Sequence, residues 1–340
     1  MLIVDAHLDL AYNALRGREV TKPAAQQTAL LGDGTPSVGL PDLRQGGVDL
    51  ICATIFCEPA KGADATGYRT ASQAHAQAQR QLRWYYKQAS DDGLLELVTE
   101  PDHLPSPAPG APRPKTQKAI LLMEGADPFR TPDEVDDWFD AGLRIVGLAW
   151  KSTRMAGGTG EPGPLTPEGL ALVKALDAHH IIHDTSHLAE ESFWNLLDAS
   201  AGPVMASHSN CRSIVPTDRQ LSDDMIKAIA RRGGVIGINY YDKFLLLPAQ
   251  HKIRRATLRD VVDHLKHMCD LAGSARHVGI GTDMDGGFGG ENIPEEIKTS
   301  ADLPKIADAL HAAGFATADI ESILGENWVR FFRENLPSHP

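Results

Sequence analysis

Residues 2–9 read Leu2-Ile3-Val4-Asp5-Ala6-His7-Leu8-Asp9, an apolar run that becomes alternately polar towards its end. Seven further short apolar runs follow it, and stretches with helical patterns lie between most of them. The eight predicted strands are Leu2–Ala6, Val48–Phe56, Lys118–Met123, Leu143–Ala149, His180–Asp184, Pro203–Ser207, Gly234–Asn239 and His277–Gly281. Eight repeats of strand and helix favour a closed, parallel (β/α)8 TIM barrel over an open doubly wound sheet. No G-x-G-x-x-G motif follows the first strand, which argues against a dinucleotide-binding fold.

The longer segments between the strands carry the signals of helices. Ser222 is followed by two aspartates, which is typical of a helix start because the hydroxyl caps the helix and the acids complement its dipole. The predicted helices are Gln73–Ala89, Thr166–Ala178, Ser222–Arg232 and Thr257–Ala272. Two irregular segments, Ala24–Leu40 and the proline-rich Pro101–Lys115, are expected to be loops that are too short to separate domains. We therefore expect residues 1–340 to form a single α/β domain.

Composition excludes several classes of partner. The net charge of −12 argues against nucleic acid or an anionic membrane surface, since both select basic faces. No run reaches the roughly 18 apolar residues that a membrane helix needs. Residues 1–7 have neither the basic nor the long apolar segment of a secretory signal, and the four cysteines form no C-x-x-C pair. We accordingly expect a cytoplasmic protein with reduced thiols.

Polar side chains gather where five of the predicted strands end. They are His7 and Asp9 (first strand), Glu124 (third), His187 (fifth), His208 (sixth), and Asp283 with Asp285 (eighth). In a TIM barrel the carboxyl ends of the strands surround the active site. Imidazole and carboxylate together suit zinc and related ions, and a carboxylate can bridge two of them. The sequence therefore predicts a binuclear metal site at the C-terminal face of the barrel.

Several blocks of the chain resemble those of the membrane dipeptidase (renal dipeptidase) family, peptidase family M19 of the metal-dependent amidohydrolases. In family order they are Asp5–Asp9 (D-x-H-x-D), Glu124-Gly125, Asp184–His187 (D-x-S-H), Ser207–Arg212 (S-H-S-x-x-R), Arg232–Asn239 and Gly281–Gly286. The blocks extend from residue 5 to about residue 287 and so cover most of the chain. The two most specific are S-H-S-N-C-R and G-T-D-M-D-G.

The resemblance implies a zinc-dependent dipeptidase that cleaves the amide bond of a dipeptide or a similar small N-acyl compound by means of a metal-bridging water. It implies two Zn²⁺ ions, with His7 and Asp9 on one, His187 and His208 on the other, and Glu124 between them. Asp283 would be the general acid and base, Arg212 would bind the substrate carboxylate, and Tyr241 would lie near the substrate, with the adjacent Tyr240 as the alternative. A homodimer is also plausible from the family.

The sequence departs from the family pattern at the end of the fourth strand. There Gly147-Leu148-Ala149-Trp150-Lys151 replaces a T-L-T-H-like run, so that Trp150 stands where the family carries a substrate-contacting histidine. Indole offers one N–H donor and a large apolar face, and it cannot act as an acid or base. Trp150 either packs at the rim or reshapes the substrate pocket. Lys151 leaves a further alternative, because related amidohydrolases can bridge their ions with a carboxylated lysine.

Two other functions stay open. The same metal site could serve another amidohydrolase reaction, such as the opening of a lactone, although Arg212 favours a substrate with a carboxylate. The chain could also be a catalytically silent metal-binding protein, although such a site would have no need of Asp283. Among the remaining histidines, His179, His180 and His183 are expected to be structural. His264 and His267 are expected to face solvent.

Overall fold

The computed structural model describes residues 1–30, 32–60, 66–106 and 116–338. The described residues form nine strands, which are β1 (Ile3–Leu8), β2 (Val48–Phe56), β3 (Leu95–Leu97), β4 (Gln117–Glu124), β5 (Leu143–Gly147), β6 (Ile182–Asp184), β7 (Val204–Met205), β8 (Ile236–Ile238) and β9 (Val278–Ile280). All eight predicted strands are present. The additional strand, β3, has three residues and pairs only with β4.

The other eight strands form a nearly closed parallel barrel. Their order is β7-β6-β5-β4-β2-β1-β9-β8, and every pairing is parallel. A parallel bridge between Ala206 and Ile236 joins the two ends of this order. Parallel neighbours require a crossover, which the intervening helices supply. These features confirm the predicted (β/α)8 TIM barrel.

Helices surround the strands and form most of the connections between them. They are α1 (Leu10–Leu15), α2 (Leu40–Gly46), α3 (Ala71–Ser90), α4 (Val135–Asp140), α5 (Pro167–Ala178), α6 (Glu190–Ala199), α7 (Asp223–Arg231), α8 (Asp242–Leu245), α9 (Pro248–His251), α10 (Leu258–Ala272), α11 (Lys305–Ala312), α12 (Thr317–Glu321) and α13 (Asn327–Asn335). The hydroxyls of Thr166 and Ser222 accept backbone N–H groups from the first turns of α5 and α7. The predicted helix starts therefore coincide with real N-caps.

Alternate residues of the strands divide the core into two layers. The smaller apolar cluster contains Leu50, Ile120 and Leu122, and the last two share a strand face with Glu124 because side chains alternate along a strand. The stacked rings of Trp328 and Phe332 on α13 belong to the same cluster. The larger cluster packs between the barrel and its helices. The barrel is thus a packed core, and its open space lies at the C-terminal face.

Strand β1 does not follow a strict period of two. A strict period of two would place Val4, Ala6 and Leu8 on one face. Val4 and Ala6 do pack in the smaller cluster, but Leu8 packs in the larger one, so the alternation breaks after Ala6. The register against β2 shifts between Asp5 and Leu8. The Asp5 carboxylate instead accepts hydrogen bonds from the backbone N–H and the hydroxyl of Thr282, at 2.8 and 2.6 Å. Asp5 therefore ties β1 to the segment after β9.

The two predicted loops differ in how far they are described. The described residues of Ala24–Leu40 form one short 3-10 turn at Ala24–Gln26 and a bridge between Leu30 and Gly34, and they are otherwise irregular up to the start of α2 at Leu40. Residue 31 lies outside the described residues. Of Pro101–Lys115, residues 107–115 also lie outside them. In the described part of the chain, no helix combines the length and apolarity that crossing a membrane would take. The four cysteines form no disulfide there.

Candidate metal centre

Six ionisable side chains converge at the C-terminal ends of the barrel strands. They are His7 and Asp9 from the end of β1, Glu124 from the end of β4, His187 after β6, His208 after β7 and Asp283 after β9. Glu124 lies between two groups of them. One of its carboxylate oxygens is 3.7 Å from His7 Nε2, and the other is 3.2 Å from His187 Nε2 and 3.5 Å from His208 Nε2. This geometry suits a carboxylate that bridges two cations.

A buried hydroxyl orients two of the three histidines. Ser207 Oγ lies 2.5 Å from Asp184 Oδ2, 2.7 Å from His208 Nδ1 and 3.2 Å from His7 Nδ1. A carboxylate only accepts hydrogen bonds, so the serine donates its proton to Asp184 and accepts from both rings. Both histidines therefore hold a proton on Nδ1 and turn Nε2 towards the site. Outer partners of this kind fix metal-binding imidazoles.

The third histidine is held in the same way by a different hydroxyl. His187 has a left-handed backbone with φ of 65°, and its Nδ1 lies 3.0 Å from Thr159 Oγ1. Its Nε2 is 3.0 Å from the Nε2 of His208. Burial holds the pKa of both His187 and His208 well below the usual value, with nearby cationic groups adding to the effect. Both rings are therefore neutral and can offer lone pairs.

Several buried atoms of the site have no hydrogen-bond partner among the described residues, and these include His7 Nε2 and Asp9 Oδ1. Burial raises the pKa of Asp9 to about 7. Burial would lower the pKa of His7, but the carboxylates of Glu124, Asp9 and Asp283 outweigh it and raise the value to about 10. Unpartnered buried polar atoms are costly unless a cation satisfies them. Three imidazoles with carboxylates are a donor set that fits Zn²⁺ or a similar divalent ion.

Asp283 occupies a constrained turn beside these ligands. Its φ is 59°, its Oδ1 lies 4.0 Å from His7 Nε2, and its Oδ2 accepts a hydrogen bond from Asn239 Nδ2 at 3.0 Å. A side chain at Gly286 would collide with Asp283, because a Cβ there would lie 2.0 Å from Oδ1. Burial raises the pKa of Asp283 well above its usual value. The carboxyl therefore keeps a proton to a higher pH than an exposed aspartate does.

Asp285, the other carboxylate of this block, faces away from the metal ligands. It accepts hydrogen bonds from the Ser37 N–H, the Ser37 hydroxyl and the Val38 N–H, and it forms a 2.8 Å ion pair with Arg18. Its role is to hold the long loop after β1 against the segment after β9. Asp283 is consequently the carboxylate of the pair that is available for chemistry.

A cavity of about 440 Å³ opens onto the ligands and has aromatic walls. Trp150 lines it next to Phe56, with the rings edge to face at 5.2 Å, and lies 6.3 Å from the His187 ring. Tyr241 lines it with Phe244, at 5.0 Å. Tyr240 is fully buried, so Tyr241 is the tyrosine that faces the cavity. Trp150 thus borders the space that a substrate would occupy.

The structure separates two arginines that follow His208. Arg212 was expected to bind a substrate carboxylate, but it forms an ion pair with Glu190 and is not among the residues that line the cavity. Arg219 is buried, donates to the His208 carbonyl over 2.6 Å, and lies above the Phe244 ring at 5.3 Å. Its charge acts on both Asp283 and Glu124. Of these two arginines, Arg219 is therefore the one whose charge acts on the site, although neither lines the cavity and the S-H-S-x-x-R spacing points to Arg212.

The structure also gives the positions of Lys151 and His264. Lys151 lies at the cavity rim, with its Nζ 3.8 Å from Glu161, whereas Glu124 lies between His7 and His187. His264 does not face solvent. It is fully buried, and its Nδ1 accepts the Cys211 N–H at 3.1 Å because α10 packs against the segment after β7. A histidine at helical spacing cannot be assigned to a buried or an exposed face from charge pattern alone.

Comparison with known proteins identifies relatives along the whole chain. Residues 1–338 match the family model described as membrane dipeptidase (peptidase family M19). A metallopeptidase from Rhodobacter sphaeroides, solved with a phosphinate mimic of the dipeptide L-Ala-D-Ala, is 26% identical, with a TM-score of 0.81 and 99% of each chain covered.

Two curated relatives match over parts of the chain. A protein in the pqqA 5′ region of Klebsiella pneumoniae is 29% identical over 229 residues, which are 64% of this chain and 82% of that protein. An uncharacterised dipeptidase of Schizosaccharomyces pombe is 26% identical over 208 residues, which are 60% of this chain. The match spans only about half (49%) of that dipeptidase.

Proposed function

The chain belongs to the membrane dipeptidase family, peptidase family M19, and we propose that it hydrolyses dipeptides with two divalent metal ions at the centre described above. One observation carries the proposal. Glu124 directs its two oxygens at two separate groups of imidazole Nε2 atoms, and the Nδ1 atom of each ring is held by a hydroxyl. Such an arrangement holds ligands for two cations without further rearrangement.

The donor chemistry favours zinc. His7 and Asp9 would hold one ion, His187 and His208 the other, and Glu124 would hold both. When bound, ions of this type supply a nucleophile at neutral pH and withdraw electron density from a carbonyl group. Elemental content and the requirement for a specific metal are the measurements that test this assignment.

Asp283 would handle the protons of the reaction. Its Oδ1 faces His7 and the other ligands, and its Oδ2 is occupied by Asn239. In this position Oδ1 can take a proton from the attacking water and return it to the leaving amine. A positioned carboxyl of this kind contributes about 10²–10⁴-fold to the rate.

Arg219 and the aromatic walls would select the substrate. We propose that Arg219 supplies the positive charge that holds the carboxylate terminus of a dipeptide, since a buried guanidinium binds carboxylates strongly. Trp150 and Tyr241 would contact the side chains. The relative from Rhodobacter sphaeroides was solved with a mimic of L-Ala-D-Ala, so a D-residue at the C-terminal position belongs among the first substrates to try.

The experiment combines metal analysis with a dipeptide panel. Purified protein is reconstituted with zinc, its metal content is measured, and hydrolysis is followed for L-Ala-L-Ala, L-Ala-D-Ala and their C-terminal amides. We expect two ions per chain and a strong preference for the free carboxylate. Arg219→Gln, which removes the positive charge, should lose that preference, while the matched change Arg212→Gln should keep it. Two ions with hydrolysis of a lactone and of no dipeptide would instead favour another amidohydrolase reaction.

A further inference from the structure

We propose that Asn239 is a positioning residue that fixes which oxygen of Asp283 faces the metal ligands. The inference rests on the proposed function, in which Asp283 moves a proton. Asn239 Nδ2 donates to Asp283 Oδ2 over 3.0 Å, and both side chains are buried. The remaining oxygen, Oδ1, is the one that lies 4.0 Å from His7 Nε2.

A second contact settles the orientation of the Asn239 amide. Asn239 Oδ1 accepts the backbone N–H of Tyr241 over 2.7 Å. A backbone N–H can only donate, so the carbonyl end of the amide faces Tyr241 and the NH₂ end faces Asp283. A flipped amide would lose both hydrogen bonds and leave buried groups unpaired, which is unfavourable. Asp283 Oδ2 is therefore held as an acceptor, and Oδ1 is left to exchange protons.

Asn210 in turn fixes the backbone that carries Asn239. Its side chain accepts the Asn239 N–H over 2.8 Å and donates to the Asn239 carbonyl over 3.0 Å. Asn210 comes two residues after His208, and Asn239 follows β8 directly. The two amides thus connect the ends of β7 and β8 to the carboxylate that follows β9. Asp283 is positioned relative to His208 by hydrogen bonds that do not involve a metal.

The test compares Asn239→Asp with a matched change elsewhere in the zinc-loaded protein. Aspartate at this position keeps the shape and the acceptor for Tyr241, but its ionised carboxylate cannot donate to Asp283. We expect kcat for a dipeptide to fall about 10- to 100-fold, the effect of losing a hydrogen bond to a charged group. KM should change by less than about threefold, because the change acts on the reaction step and not on ground-state binding. Metal content should be unchanged.

Asn327 provides the control. It is also buried, and its side-chain N–H groups donate to the carbonyls of Ala275 and Val278 at the start of β9, away from the C-terminal face. Asn327→Asp removes donors from a buried amide in the same way. It should lower the melting temperature and leave kcat within about twofold of wild type, since it touches no group of the reaction.

A kcat within about threefold of wild type in Asn239→Asp, or a loss that matches a loss of metal, would overturn the proposal. Asn239→Ala, which removes the donor without adding charge, covers the case in which Asn239→Asp does not fold. Crystal structures of the variants give a readout independent of activity. We expect the Asp283 carboxylate to rotate, and an unmoved Asp283 would refute the positioning role. If the wild type cleaves no dipeptide, the proposed function fails, and these structures alone decide about Asn239.

Discussion

Replacing Ser207 with alanine should weaken the binding of both metal ions, because one hydroxyl supports two histidines that we assign to different ions. Ser207 Oγ accepts from His7 and His208 and donates to Asp184. Loss of an outer partner lowers metal affinity by about 10- to 100-fold. Taking the lower figure for each histidine gives roughly tenfold per ion, or about 3 kcal/mol for the pair of ions.

The substitution isolates the hydroxyl from the rest of the network. Asp184 Oδ1 still accepts the backbone N–H groups of Ser186 and Ser207, at 3.0 and 2.8 Å, so the carboxylate stays in place. The imidazoles, in contrast, lose the acceptor that fixes their rotation and their tautomer. The loss of metal affinity would therefore come from the freed rotation of the two imidazoles, and not from a disrupted strand.

Competition with a chromophoric chelator measures the two zinc affinities in the metal-free protein. Ser300→Ala is the control, because Ser300 is fully buried and its Oγ has no hydrogen-bond partner in the described part of the chain. Both affinities should fall in Ser207→Ala and stay unchanged in Ser300→Ala. If only one of the two zinc affinities falls, or neither does, the hydroxyl does not orient both histidines and the tautomer argument is wrong.

Three further changes test other parts of the site and the fold. Asp283→Asn should retain both ions and lower kcat by about 10²–10⁴-fold, since the amide cannot accept the proton; metal analysis with steady-state kinetics checks this, and a rate close to wild type contradicts it. Trp150→His should shift the ratio of kcat/KM for a small dipeptide over an aromatic one about 2- to 10-fold towards the small one, because stacking on indole is worth about 0.5–1.5 kcal/mol; an unchanged ratio makes Trp150 a packing residue. Burial lowers the pKa of His264 from 6.5 to about 4, so the unfolded chain binds a proton at this residue first as the pH falls, and His264 by itself should destabilise the fold by about 3 kcal/mol between about pH 6.5 and pH 4. Between pH 7 and pH 4.5, urea unfolding should show that His264→Asn loses less stability than the wild type by about 2–3 kcal/mol, whereas the exposed His311→Asn should lose as much as the wild type.

The barrel was predictable because its strands are continuous apolar runs with polar ends. Val48–Phe56 was predicted to the residue, since both faces of a barrel strand are buried. The prediction was too long where a strand is short: β7 has two residues, Val204 and Met205, and Ala206 then forms an isolated bridge to Ile236 before the chain reaches His208. The strand β3 escaped prediction because three residues give no usable periodicity.

The candidate metal ligands were predictable for a different reason from the residues around them. Histidine and carboxylate at the ends of parallel strands must meet at one face, so chemistry and topology together select them. Arg219 was not predictable, because two arginines follow His208 in one irregular segment and only folding decides which turns inward. Arg212 turns towards Glu190 at the surface, and Arg219 becomes buried beneath the site.

The short motifs of this chain contain the candidate ligands and also the residues whose hydrogen bonds hold those ligands in place. In D-x-S-H, Asp184 accepts from Ser207, and Ser186 Oγ accepts the N–H of His208, so the residues of one strand end support the histidine of the next. In S-H-S, the hydroxyl of Ser207 orients the rings of His208 and His7. Neutral imidazole must hold its proton on Nδ1 to bind a metal through Nε2, and each hydroxyl fixes that choice. Ser207 therefore serves the same proposed metal chemistry as His7 and His208, whereas Ser186 supports the backbone of His208.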